Sequence, residues 1–118
     1  MSRKKFAVLD WWRLSMVDLV RQDTPDLTSR QLSLLLTVYM TPGPHTVKGL
    51  SEVLGISKPA ITRAVDRLEG LELVKRKKDE DDRRNVFIQR SVRGSVFLSD
   101  LSELISQASE QTVLPQAA

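Results

Sequence analysis

Every residue from Lys75 to Arg84 carries a charge, in the order four cations, four acids and two arginines. The acids Asp79 to Asp82 repel phosphate, so this run is not a plain basic patch. Asp82 and Arg84 stand two apart, a spacing at which the carboxylate can fix the direction of the guanidinium through a charge-assisted hydrogen bond. The same spacing also describes an ordinary surface ion pair worth ~0–1 kcal/mol. A second set begins at Ser57. Placed on a helix, Pro59, Thr62, Arg63 and Asp66 share one side, flanked by Lys58 and Arg67 and opposite the apolar Ile61, Ala64, Val65 and Leu68. Threonine and arginine there carry donors that reach base edges or phosphates, although a solvated polar face is the plainer reading.

Bond-making chemistry has less to stand on. His45 is the single histidine, beside Pro44, and there is no cysteine. Thiol nucleophiles, thiolate metal sites and disulfides are therefore excluded. No GxxxxGK[ST] phosphate loop occurs, and the four acids lack the glycine and terminal glutamate spacing of a calcium loop. The expectation is a protein that is not an enzyme, with no catalytic residue, metal ligand set or cofactor.

At 118 residues the chain is expected to form a single domain over 1–118, with 41% hydrophobic residues to supply its core. The net charge of +3 is unevenly spread: twelve basic and eight acidic residues give +4 between 48 and 93, against +2 before and −3 after. The central excess is a first hint of a polyanion-binding surface. No apolar run reaches the ~18 residues of a membrane span. The apolar stretch after Arg3, Lys4 and Lys5 stops at Asp10, short of a signal peptide. A soluble, cytoplasmic protein is expected.

The positioning elements follow from periodicity and caps. Phe6, Leu9, Trp12, Met16, Leu19 and Val20 recur at helical spacing and predict an apolar helix over about 6–21. Thr28 and Gln31 have the form of a capping box and open a helix from Ser29 to Met40, with Leu32, Leu35, Leu36 and Tyr39 inward, until Pro42-Gly43-Pro44 stops it. Thr46 caps a short helix bearing Val47, Leu50, Val53 and Leu54, which Gly55 closes in the left-handed conformation. Ser57 caps the next helix, to about Glu69, with Pro59 in its first turn. Leu71 to Lys78 and Val86-Phe87-Ile88 are extended in character and bracket the charged stretch as a hairpin. Ser91 caps a last helix over about 91–113, with Val92, Val96, Leu98, Leu101, Leu104 and Ile105 inward, fading near Val113 before Pro115.

Two helices joined by the tight turn Gly55-Ile56-Ser57, the second followed by a charged hairpin, make a helix-turn-helix over about 46–69 with a wing over about 71–90. The expected fold class is mainly α with one small antiparallel β-hairpin. At ~1.5 Å per residue the second helix is about 18 Å long, suited to a major groove. A narrow minor groove attracts an arginine such as Arg84. The DNA-facing candidates are Ser57, Lys58, Pro59, Thr62, Arg63 and Arg67 on the helix and Lys75, Lys77, Arg83 and Arg84 on the wing, with Asp82 orienting Arg84. The alternative is a winged helix used as a protein-interaction module without sequence-specific DNA binding, which the salt dependence of polyanion binding would separate.

Thr28-Ser29-Arg30-Gln31-Leu32 and the stretch from His45 to Gln89, above all SKPAITRAVDRLE at Ser57–Glu69 with DEDDRR at Asp79–Arg84, resemble the MarR family of bacterial winged-helix transcription regulators. The resemblance covers roughly residues 28–100. It implies that Ser57 to Arg67 lie on the recognition helix, that Arg84, supported by Asp82, enters the minor groove, and that N- and C-terminal helices build a homodimer. The dimerisation candidates are Phe6, Leu9, Trp11, Trp12 and Met16 on the first helix and Leu101, Leu104 and Ile105 on the last. Relatives usually run longer past the position of Ser91, so a reduced interface is expected. The Trp11-Trp12 pair could compensate, because aromatic side chains are enriched in interface cores; packing within the domain accounts for the pair equally well. Many relatives keep a small-molecule pocket, but no residue pattern here identifies an effector. The implied partners are double-stranded DNA, at a pseudo-palindromic operator, and a second copy of the chain.

Overall fold

The computed structural model describes residues 3–112, with side chains from residue 5 onward. The elements in chain order are α1 (Arg3–Arg21), α2 (Ser29–Met40), α3 (Val47–Leu54), α4 (Lys58–Gly70), β1 (Val74–Lys78), β2 (Val86–Arg90) and α5 (Val92–Glu110). They gather into two compact units, one of residues 27–96 and one of the chain up to Asp26 with the chain from Phe97 on. The mainly helical class with a single antiparallel hairpin is the one the sequence implies. Val113 and Pro115, where the last helix is expected to fade, lie outside the described residues.

In the unit of residues 27–96, side chains at the helix starts satisfy backbone donors that would otherwise lack partners. Thr28 Oγ1 accepts from Gln31 N at 3.1 Å while Gln31 Oε1 accepts from Thr28 N at 3.0 Å. Thr46 and Ser57 do the same for Gly49 N and Ala60 N, at 3.0 and 3.3 Å. Between α3 and α4 the chain turns at Gly55, with φ 67° and ψ 30°, a left-handed conformation that glycine adopts without a Cβ penalty. The β1–β2 ladder is antiparallel, pairing Val74 with Arg90 and Arg76 with Ile88. Ile88 N also donates to His45 O at 2.9 Å. Leu34, Leu35, Val38, Leu50, Ile61, Val65, Leu68, Val74 and Ile88 form the core, each at most 2% exposed.

Packing rotates some of the expected faces. On α2, Leu34 and Val38 enter the core and Leu36 turns outward, because α2 is apolar on more than one side and its neighbours α3, α4 and β2 select the face. Val53 on α3 is exposed. At the start of α5 the inward position belongs to Gly94 rather than Val92 or Val96, which are 84% and 55% exposed. A Cβ on Gly94 would overlap the Tyr39 hydroxyl and the Leu73 carbonyl. That hydroxyl donates to Leu73 O at 2.7 Å and accepts from Ser91 N at 2.9 Å, tying α2 to the two chain segments that flank the hairpin. Ser91 Oγ accepts from Gly94 N at 3.0 Å, the expected cap of α5.

In the other unit, α1 begins at Arg3 rather than near Phe6. Its buried positions are Ala7 and Ser15, with Trp11 midway at the same four-residue spacing. Trp11 Nε1 donates to Ile105 O at 2.8 Å, and Ser15 Oγ donates to Trp11 O at 2.9 Å. Leu101 and Ala108 are the buried positions of α5 here. Among the described residues no helix is long and apolar enough to cross a membrane.

Candidate nucleic-acid interface

Helix α4 turns Ile61, Ala64, Val65 and Leu68 into the core. Helical geometry therefore leaves Lys58, Pro59, Thr62, Arg63, Asp66 and Arg67 on the outward arc, and all six are exposed. Lys58, Arg63 and Arg67 form no ion pair among the described residues, so their charges are available to an anion. Ser57 is exposed, with its hydroxyl engaged as the N-cap of α4.

The run of ten charges is divided by the strand. Alternation from buried Val74 places Arg76 and Lys78 on one face of the hairpin and Lys75 and Lys77 on the other, both of the latter exposed. At the tip, Asp79 N donates to Asn85 O at 3.0 Å and Asn85 N to Asp82 O at 2.9 Å. Asp82 Oδ1 accepts from Arg84 N at 3.1 Å and from Arg84 Nε at 3.3 Å. This engages the inner edge of the guanidinium only. The Arg84 side chain is 93% exposed, so the outer end of its fork faces solvent. Arg83 beside it is also exposed.

Arg76 is not among the residues the sequence singles out. Its Nη1 donates to Glu69 Oε1 and its Nη2 to Asp66 Oδ1, both at 2.6 Å, and its backbone N donates to Glu69 Oε2 at 3.2 Å. Burial works against the charged guanidinium, but the hydrogen bonds and charges of Asp66 and Glu69 prevail and hold its pKa above the ordinary arginine value. The available signal was the two-residue strand period, which separates Arg76 from its charged neighbours. Thus α4 and the wing share one unit and one ion-pair cluster, whereas the dimerisation candidates belong to the helical unit. There Phe6, Leu9 and Trp12 are 55%, 54% and 50% exposed, Trp11, Met16, Leu104 and Ile105 are half-buried, and Leu101 is buried.

A helix-turn-helix whose second helix presents an exposed polar arc beside a charged β-hairpin defines the winged-helix class. The sequence pattern of the MarR family matches residues 27–86, just over half of the chain, and the chain belongs to that family. YcgE of Bacillus subtilis (strain 168), an uncharacterized HTH-type transcriptional regulator, is 36% identical over 66 residues, which cover 56% of this chain and 43% of YcgE. The match thus spans less than half of that relative's length. Among solved structures, a mutant of MepR from S. aureus bound to an oligodeoxyribonucleotide superposes with a TM-score of 0.77 at 17% identity, covering 91% of this chain and 76% of that one. A mutant of MarR from E. coli gives 0.68 at 24% identity, with the same two coverages. At these identities the two structures show the fold.

Proposed function

We propose that the chain is a sequence-specific, double-stranded-DNA-binding transcriptional regulator that acts as a homodimer in the cytoplasm, with residues 1–118 working as one winged-helix domain. The observation that carries this reading is the exposed arc of α4, where Thr62 and Arg63 stand above a fully packed base and Arg63 has no ion pair among the described residues. In the proposed docking α4 lies in the major groove and Thr62 and Arg63 meet base edges. Lys58 and Arg67 meet flanking phosphates, and Arg84, steered by Asp82, enters the minor groove. The family membership and the oligodeoxyribonucleotide held by the MepR mutant support DNA as the partner.

A two-fold dimer selects half-sites that mirror each other about one helical turn, ~34 Å, apart. The exposed Phe6, Leu9 and Trp12 on α1 are the proposed dimer surface. Selection from random duplexes tests the reading directly, and the expected product is a pseudo-palindrome with A·T-rich flanks, where a narrow minor groove favours the wing arginine. Recovery of no enriched sequence would overturn it and return the fold to the role of a protein-interaction module.

A further inference from the structure

The wing meets α4 through an ion-pair cluster that none of the DNA contacts proposed above uses. We propose that Arg76 is a positioning residue: by bridging Asp66 and Glu69 it sets the angle of the wing against α4, and with it the separation between the major-groove and minor-groove contacts. This rests on the DNA-binding reading.

A two-stranded hairpin is marginal by itself, so the direction of this one is decided at its root. There, buried Val74 and Ile88 and the Ile88 N–His45 O bond hold the strands to the core, and Arg76 ties β1 to α4. Arg76 lies next to Ile88 in the ladder and reaches two carboxylates three residues apart on one face of α4. The planar guanidinium engages both at once, and the backbone N of the same residue takes the second oxygen of Glu69. Three bonds from one strand residue to one helix define a direction. Asp66 and Glu69 are 60% and 42% exposed, so these pairs add little stability, and orientation is what they contribute.

Geometry amplifies the effect. Arg84 lies in the turn just before β2, four residues before Ile88, the ladder partner of Arg76, and so at most roughly 13 Å from it along the hairpin. A tilt of about 10° at the clamp would displace Arg84 by up to roughly 2 Å, most of a hydrogen bond's length. Asp66 stands on the DNA-facing arc, so the clamp also neutralises a carboxylate that would otherwise repel phosphate.

The first arm of the test needs no DNA. The full chain has no cysteine, so Glu52→Cys on α3 and Glu80→Cys at the wing tip can carry a pair of spin labels. The distance distribution is expected to be narrow with Arg76 present and broadened or shifted by Arg76→Met. The same change is expected from the milder pair Asp66→Asn with Glu69→Gln, should Arg76→Met fail to fold. Arg76→Lys should restore the distribution only in part, because an ammonium lacks the planar fork. An unchanged distribution in folded variants overturns the proposal.

The second arm uses the selected operator. Arg76→Met should weaken binding about tenfold, the worth of one charged hydrogen bond at the wing, and erase the preference for A·T flanks while base choice under α4 persists. After that change Arg84→Ala should cost little more, the non-additivity of coupled positions. Full additivity, or full affinity in Arg76→Lys as expected of a direct phosphate contact, overturns the proposal. If the parent protein binds no duplex, the DNA reading fails and the first arm alone decides the clamp.

Discussion

The unit of residues 27–96 and the helical unit differ in the size of the side chains they bury. In the first, a set of leucines, isoleucines and valines from three helices and both strands is buried almost completely, although Leu36, Met40, Val53, Val92 and Val96 of the same unit stay exposed. In the second the buried positions are mostly small, Ala7, Ser15 and Ala108 beside Leu101, while Phe6, Val8, Leu9 and Trp12 stay at least half exposed along α1. The contrast separates two tasks. A surface that reads another molecule by hydrogen bonds needs a rigid base, and the first unit supplies it from its own residues. A surface that recognises a second copy of itself leaves apolar area in water until the copy arrives, which is the task proposed above for the exposed face of α1.

The largest effect should come from breaking the closed core. Leu35→Ala removes a fully buried side chain and should cost about 2–5 kcal/mol in denaturant unfolding, whereas Phe6→Ala, on the exposed face, should change monomer stability by less than about 0.5 kcal/mol. Equal costs would erase the contrast. Next comes Trp12→Glu, which puts a charge on the proposed dimer surface and should cost about 2 kcal/mol or more of association. Light scattering should then report a monomer at concentrations where the parent is a dimer, with far-ultraviolet circular dichroism still helical. Loss of helicity would place Trp12 in the fold instead.

Within the closed unit the helix and the wing should fail differently. Arg63→Ala should cost about 1–3 kcal/mol on the selected operator and far less on random duplex, relaxing choice at one position per half-site. A uniform loss across sequences would make Arg63 a phosphate contact. Arg84→Ala should act on most duplexes, most strongly on A·T-rich flanks, and lower the salt slope by about one per lost phosphate charge. The smallest expected effect is that of Asp82→Ala added to Arg84→Ala, since a carboxylate that only steers Arg84 has nothing left to steer. Tighter binding in Asp82→Ala alone would show that Asp82 repels phosphate.

The helix starts were legible because their chemistry is local. Thr28, Thr46, Ser57 and Ser91 each cap the helix that begins just after them, within three residues of the donor they satisfy. Gly55 and the charged tip of the hairpin are local in the same sense. Where several apolar residues compete for one face, the choice depends on distant neighbours. Leu36 lost its place to Leu34 and Val38 because of what α3, α4 and β2 offer α2, and Val92 and Val96 gave way to Gly94 because Tyr39 lies against that point. Arg76 was hidden for another reason. In a run of ten charges it looks like its neighbours, and only the strand register sets it apart.

The Tyr39 hydroxyl has a spectroscopic consequence. It is the only phenol in the chain and lies in the unit of residues 27–96, while both indoles, Trp11 and Trp12, lie in the other. Its bonds to Leu73 and Ser91 exist only when segments 34 and 52 residues away in sequence have come together. The phenol's difference absorbance, once the stronger indole band is subtracted, thus reports the assembly of one unit and indole emission that of the other, so the protein carries two intrinsic probes that need no label.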